Sequence, residues 1–293
     1  MNKLLILFVL LFVFERSFAQ SVEVQANYNS IGDCIFSAHN NSKTPMFLNI
    51  DFADLENTTF NEVLPFVKKL DPGFNNLFTL ERDLDADVPR FNYQMKSFRS
   101  NPTTIIDLDF PYLIPFNVGS KVKAKEVKSI AGFRGAEELK SWVAIGFHAK
   151  SGDKVYASRQ GIIVEIAGKQ KSEDTQSWYN GWNYSITLLQ ADGTLICYRN
   201  VVDNSKILKL NQKIHAGQLI GEIASFASEL TMLIYQNSLN SKDLRFIIPQ
   251  FSTGELELEF MNIAKEYVVV HSNSVRALEM NKKEKRKILG LKK

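Results

Sequence analysis

Histidine is the side chain that most often binds metals and transfers protons near neutral pH, and this chain contains four. They are His39, His148, His215 and His271, and none of them has a second histidine at the spacing of a ligand pair. The sequence has no Gly-x-Ser-x-Gly elbow for a serine nucleophile and no Gly-rich phosphate loop ending in Gly-Lys. The residue types that carry catalysis are therefore scattered along the chain.

The elements that would have to position a site lie between residues 141 and 236. This stretch consists of short apolar or alternating segments rich in Val, Ile and Tyr, with Gly or Asp-Gly at the joints. Such a pattern predicts short strands connected by tight turns. Residues 152–166 and 211–223 share one arrangement, in which a turn, a short apolar strand, a glycine and a second strand follow each other.

Four motifs follow each other in this stretch: GDKVYA (residues 152–157), NY (183–184), DGT (192–194) and GQLIG (217–221). With them the stretch resembles the lysostaphin-type (LytM-like) zinc endopeptidases, exported bacterial enzymes that cut peptide bridges in cell-wall peptidoglycan. The resemblance covers about a third of the chain. It implies the antiparallel fold of that family, built from duplicated hairpins.

The resemblance also implies where zinc ligands would stand. In that family a His and an Asp of the first segment and a His of a terminal His-x-His strand hold zinc, and an open position takes the attacking water. Gly146 stands at the place of the Asp, Asn200 at the place of a charge-stabilising His, and Thr231 and Leu233 at the two places of the terminal strand. None offers an imidazole, carboxylate or thiolate, so we expect a degenerate site without catalytic residues, metal or cofactor.

A zinc site with relocated ligands is the alternative. His148 follows Gly146 by two residues, which places both on the same face of the predicted strand. A zinc site needs about three protein ligands, and no partner for His148 is evident in the sequence.

The segment between residues 167 and 184 concentrates aromatic side chains. Trp178, Tyr179, Trp182 and Tyr184 alternate there with Asn and Gly between two predicted strands. Exposed aromatic residues bind partners or glycans through large, stiff apolar surfaces, so this segment is a candidate binding surface. A packed loop that covers the end of the domain is an equally good interpretation.

The first nineteen residues have the pattern of a secretory signal. Lys3 precedes an eleven-residue apolar run at 4–14, and small residues occupy the cleavage positions Ser17 and Ala19. The run is too short to span ~30 Å of hydrocarbon, which favours a cleaved signal over an uncleaved anchor. We expect export to the periplasm or cell envelope, with no transmembrane helix in the mature chain.

Composition sets the remaining expectations. The chain is 45% hydrophobic and 23% charged, as in ordinary globular proteins, and its net charge of +3 gives no reason to expect a nucleic-acid partner. Alternating segments separated by turn residues predict a mainly β protein, in which a β-sandwich-like domain (20–116) precedes an antiparallel lysostaphin-type β-barrel or sandwich (117–250). C-terminal strands (251–280) and a basic tail (281–293) complete the chain.

The tail carries seven basic residues and one Glu, and we expect it to be solvated and disordered, although such a segment can touch anionic surfaces. Cys34 and Cys197 fall in different predicted domains, which favours two buried thiols over a bridge.

Two functions follow from these patterns. The first is an exported, non-catalytic peptidase-like protein that binds peptidoglycan or an envelope protein through the aromatic segment. The second is an active zinc endopeptidase that cuts cell-wall peptides with relocated ligands.

Overall fold

Strands dominate the computed structural model of the chain. The predicted signal sequence lies outside the described residues, as do Trp178, Tyr179 and Trp182. The structure describes residues 21–127, 143–168, 184–239, 244–255 and 257–290.

The N-terminal domain is a sandwich of two three-stranded antiparallel sheets, ordered β1-β2-β5 and β4-β3-β6. Phenylalanine rings fill the space between them: Phe36 stacks on Phe78 with ring centroids 4.7 Å apart and meets Phe52 edge-on at 5.9 Å. The predicted sandwich is confirmed. Its strands are β1 (Val22–Tyr28), β2 (Cys34–Asn40), β3 (Met46–Glu56), β4 (Phe66–Leu70), β5 (Gly73–Leu80) and β6 (Arg90–Phe98).

The C-terminal domain is built on a nine-stranded sheet. Eight of its strands are hydrogen-bonded to each other in the order β15-β11-β12-β13-β17-β9-β8-β21, and the ninth, β18, pairs with β17. The domain's strands are β7 (Pro111–Leu113), β8 (Lys121–Glu126), β9 (Ile145–His148), β10 (Lys154–Tyr156), β11 (Gly161–Ala167), β12 (Ser185–Gln190), β13 (Leu195–Arg199), β14 (Val201–Val202), β15 (Lys213–Ile214), β16 (Leu219–Ile223), β17 (Glu229–Asn237), β18 (Leu244–Phe246), β19 (Gln250–Ser252), β20 (Leu258–Glu259) and β21 (Glu266–Val268).

Both faces of the large sheet are covered, which explains why its central strands β13 and β17 are buried almost throughout. On one face, Tyr198 and Met232 join a core with the small sheet β10-β16-β14. On the other face, Cys197 and Leu233 pack against Phe47 of the N-terminal domain. The large sheet and the small sheet β10-β16-β14 thus form the sandwich that we expected, but the described strands close no barrel.

Polar contacts hold the two domains together where the chain leaves β6. The Ser100 hydroxyl donates to Oδ1 of Asn237 at 2.6 Å, and the backbone N–H of Asn237 donates back to Ser100 Oγ at 2.6 Å. Arg99 forms an ion pair with Glu165 of β11 at 3.3 Å. Because the Ser100 contacts are buried, they fix the N-terminal domain against one face of the large sheet.

Two helices follow the last strand: α1 (Asn273–Ala277) and α2 (Lys282–Leu289). Asn281 begins α2 with a capping box: its side chain accepts from the Glu284 N–H, and the Glu284 carboxylate accepts from the Asn281 N–H. Gly290 ends the helix in the left-handed conformation at φ 65°. The expectation of a disordered tail is therefore wrong for this segment.

Cys34 lies in the core of the sandwich and Cys197 in the cluster between the domains, and both are buried. Within the described part of the chain, every helix is too short or too polar to cross a bilayer.

Candidate functional site

The four positions that the family resemblance assigns to the zinc site and its surroundings lie close together on the large sheet. Gly146 of β9 is directly opposite Thr231 of β17, and Leu233 follows two residues later on the same face. Asn200 comes directly after β13 in the left-handed conformation, with φ 65°, which asparagine tolerates better than most residues. The sequence motifs thus locate one contiguous patch, formed by three strands that are distant in sequence.

The place that the family resemblance assigns to a zinc-binding Asp is already filled. A Cβ atom at Gly146 would stand 2.6 Å from Cγ of Lys125 and 2.8 Å from Cγ2 of Val127. Real Cβ atoms essentially never approach other carbon atoms that closely. The stem of Lys125, from the neighbouring strand β8, therefore occupies the space into which a carboxylate would project.

Polar contacts around Glu229 take up the rest of the patch. The Lys125 ammonium forms an ion pair with the Glu229 carboxylate, and the Thr231 hydroxyl donates to Oε1 of the same carboxylate at 3.2 Å. The Asn200 amide donates to the backbone oxygen of Glu229 at 3.2 Å. We call these residues the Glu229 cluster. It satisfies its polar groups internally, so the residues present do not fit a zinc ion at this place.

Leu233 lies under the N-terminal domain. Its side chain is completely buried in a cluster that contains Cys197 and Tyr235 of the large sheet together with Phe47 and Phe98 of the sandwich. A molecule bound in a groove along this face would have to displace the N-terminal domain to reach Leu233. Access from solvent is therefore limited to the end of the sheet at which the Glu229 cluster lies.

A cavity of about 760 Å³ opens beside that cluster. Among the residues lining it, Tyr184 and Phe226 face each other with ring centroids 5.6 Å apart, and 60% of Phe226 is exposed. Asn200 connects the Glu229 cluster to this cavity through its backbone. Its N–H donates to the Tyr184 backbone oxygen at 2.8 Å, and its backbone oxygen accepts from the N–H of Ala224, another lining residue, at 2.9 Å. Tyr184 is the one member of the predicted aromatic surface that the structure describes.

His148, the residue on which relocated ligands would depend, is exposed at the end of β9, and its Cα is paired with that of Glu229. These two side chains are possible donors, but the Glu229 carboxylate is engaged by Lys125 and Thr231. Within the described ranges, no group of three or more His, Cys, Asp or Glu residues could hold a metal ion.

No protein-family model matches the chain, and no curated protein matches it. Among solved structures it is weakly similar to the catalytic domain of the antimicrobial peptidase lysostaphin from Staphylococcus simulans, with 22% identity over 40% of this chain and 85% of that one and a TM-score of 0.28. Helicobacter pylori Csd3 is similar in two crystal forms. The orthorhombic form covers 91% of this chain and 83% of Csd3 at 11% identity and TM-score 0.30, and the hexagonal form covers 70% and 45% at 13% and 0.29. At these TM-scores we base no functional conclusion on the similarity.

The remaining histidines lie away from this patch. His39 is exposed on β2 of the sandwich. His215 Nδ1 donates to Oε1 of Gln160 at 2.9 Å, and His271 Nε2 donates to the Ile114 oxygen at 2.9 Å. Burial lowers the pKa of both rings, and nearby Arg276 adds to that effect. His271 thus attaches the C-terminal segment to the domain, and His215 supports it through Gln160, whose amide donates to the Glu279 backbone oxygen at 2.8 Å.

Sequence reasoning missed Lys125 and Glu229. Alternation along β17 could have placed Glu229 on the face of Thr231, since the two residues are separated by two positions. The contact of Lys125 depends on the pairing of β8 with β9, which no local pattern in the sequence specifies.

Proposed function

We propose that this chain is an exported, non-catalytic protein with a lysostaphin-type scaffold, and that it binds peptidoglycan or an envelope protein. The Glu229 cluster is the observation that carries the proposal. Where zinc hydrolases need converging donors and an open coordination position, this chain has an ion pair, a glycine without space for a side chain, and a buried leucine. Export rests on the signal pattern of the first nineteen residues.

The cavity beside the cluster supports the proposed binding surface. Tyr184 and Phe226 present aromatic area at its rim, and the segment that carries Trp178 and Trp182 leads directly into Tyr184. Rigid aromatic side chains beside a concave surface are typical of binding sites for glycans and peptides.

Co-sedimentation with purified peptidoglycan tests binding, and release of soluble fragments in the presence of added zinc tests hydrolysis. We expect binding without release. Phe226→Ala should weaken binding about tenfold or more, as the loss of an aromatic contact commonly does. Phe74→Ala is the matched control, because Phe74 is 67% exposed in the sandwich, and it should bind like the wild type. Hydrolysis that depends on zinc would overturn the proposal. If neither peptidoglycan nor an envelope extract retains the protein, the binding role is wrong.

An active zinc endopeptidase is the second candidate, and the pairing of His148 with Glu229 on adjacent strands favours it. If Lys125 released Glu229, the two side chains could supply two of about three ligands. Metal analysis after dialysis separates the candidates. Stoichiometric zinc that is lost in His148→Ala but retained in His39→Ala would establish the second candidate. A metal-free wild type would exclude it.

A further inference from the structure

Helix α2 exposes its cations on one side. Lys282, Lys283, Arg286 and Lys287 are exposed, whereas Glu284, Lys285, Ile288 and Leu289 are partly buried against the domain. At 3.6 residues per turn, the first four residues fall within one arc of the helix and the other four within the opposite arc. The outward face therefore consists of four cations and contains no apolar side chain.

The acidic residues of the C-terminal segment do not neutralise this face. Glu284 pairs with Lys213 of β15 at 2.7 Å and also caps the start of α2. Glu279, before the helix, receives two hydrogen bonds from the Arg159 guanidinium, at 2.8 and 3.0 Å. Both carboxylates are thus used to attach the segment to the domain.

The attachment makes the helix a fixed part of the surface. Arg159 is 4% exposed, also pairs with Asp192 at 2.6 Å, and has its guanidinium carbon 3.7 Å from the ring centre of Phe110. Met280, directly before the helix, is 5% exposed. Because α2 is held at this end, the helix presents its four cations on one side, and its backbone loses little conformational freedom on binding a partner.

We propose that the outward face of α2 docks this protein onto a membrane surface rich in anionic phospholipid. A headgroup plane presents a two-dimensional array of phosphates, which a flat group of four cations complements. Each basic residue near such a surface increases binding by about fivefold. Without an apolar residue on the outward face, α2 cannot insert, so attachment is electrostatic, reversible and sensitive to salt. Single-stranded nucleic acid fits less well, because this face has no aromatic side chain on which a base could stack.

Co-sedimentation with vesicles tests the proposal. We expect the purified mature chain to bind vesicles of phosphatidylcholine and phosphatidylglycerol, to ignore vesicles of phosphatidylcholine alone, and to dissociate at about 1 M NaCl, where the screening length falls to ~3 Å. The variant with Lys282, Lys283, Arg286 and Lys287 all replaced by Gln should bind at least tenfold more weakly.

The matched control replaces four exposed lysines elsewhere by Gln and so changes net charge equally. It should keep binding within about twofold, because charge remote from the docking face contributes little at ordinary ionic strength. The control positions are Lys43, Lys123, Lys150 and Lys154, which are exposed and form no ion pair with another described residue.

Three results would overturn the proposal: no binding of the wild type to anionic vesicles, equal losses in both variants, or binding of an oligonucleotide or of wall polymer through α2 without binding of vesicles. Unchanged thermal transitions of both variants would show that a loss of vesicle binding comes from the altered surface charge and not from unfolding. Peptidoglycan binding through Phe226 is a separate measurement, so the two proposals fail independently.

Discussion

Replacing Gly146 by alanine is expected to destabilise the protein, although the same change in most strands is neutral or favourable. The added methyl group would meet Lys125 Cγ at 2.6 Å and Val127 Cγ2 at 2.8 Å, and the Lys125 backbone oxygen lies at 3.1 Å. Overpacking of this kind costs about 1–3 kcal/mol. The reduced freedom of the unfolded chain returns about 0.5–1 kcal/mol. Because two of these contacts are shorter than 3.0 Å, the upper half of the overpacking range applies, about 2–3 kcal/mol. We therefore expect a net loss of about 1–2.5 kcal/mol in the free energy of unfolding.

Urea denaturation of the variant measures this loss. A double-mutant cycle with Lys125→Ala shows how much of it comes from the contact with Lys125. In the background of Lys125→Ala, the Cγ atom is absent, so Gly146→Ala should cost about 1 kcal/mol less than in the wild type. Val127 remains close and keeps part of the penalty. Gly168→Ala is the matched control, because no described atom other than those of its chain neighbours lies within 4 Å of a Cβ at that position, and it should not destabilise the chain.

A neutral or stabilising Gly146→Ala would refute the claim that Lys125 and Val127 fill the place of the Asp. A destabilisation that is unchanged in the Lys125→Ala background would refute the assignment to Lys125. Gly146→Asp should also fail to acquire zinc in titration calorimetry, because the new side chain has no space and no partner ligands.

Three further predictions concern other parts of the molecule. Burial lowers the pKa values of His215 and His271 below the usual 6.5, so that between 6.5 and the folded values the unfolded chain binds more protons than the folded chain. The free energy of unfolding should therefore fall as the pH falls through that range. Urea midpoints across the range measure this dependence, and His271→Gln should make it flatter. Arg159→Met leaves Glu279 and Asp192 without their cation and should cost about 3–5 kcal/mol of stability by urea denaturation, whereas exposed Arg245→Met should change it by less than about 0.5 kcal/mol. Trp178→Ala and Trp182→Ala should each weaken peptidoglycan binding by about thirtyfold and leave the thermal transition nearly unchanged; normal binding by both variants would contradict the role of the aromatic segment.

Strand-level features were predictable where the local pattern is strong. The short apolar or alternating segments between residues 141 and 236 predicted strands, and the structure has β13 and β17 among them. Closure of the sheet was not predictable, because it depends on which edge strands pair. Disorder was expected at the tail because it is a terminal and strongly basic segment, whereas Lys213 pairs with Glu284 within the helix and Arg159 pairs with Glu279 just before it.

The sequence predicted some features of the candidate site and not others. Comparison of motifs identified Gly146, Asn200, Thr231 and Leu233, and the structure brings these four together. The sequence did not indicate that Lys125 fills the space beside Gly146. That contact depends on the pairing of β8 with β9, which places Lys125 opposite Gly146. Long-range strand pairing depends on burial and twist of the whole sheet, which no single segment of sequence encodes.

The residues at the places that the family resemblance assigns to the zinc site depend on each other, and this dependence explains why no single substitution would create a metal site. A carboxylate at position 146 requires Lys125 to move, and movement of Lys125 leaves Glu229 without its cation. A histidine at position 233 would enter a fully buried cluster shared with Phe47, where an imidazole has no hydrogen-bond partner and the N-terminal domain blocks the approach of a substrate. Each substitution alone would therefore destabilise the fold before any zinc could repay the cost through binding. An arrangement of this kind is stable as it stands, and the surface open to a partner is the cavity rim at Tyr184 and Phe226, beside the Glu229 cluster.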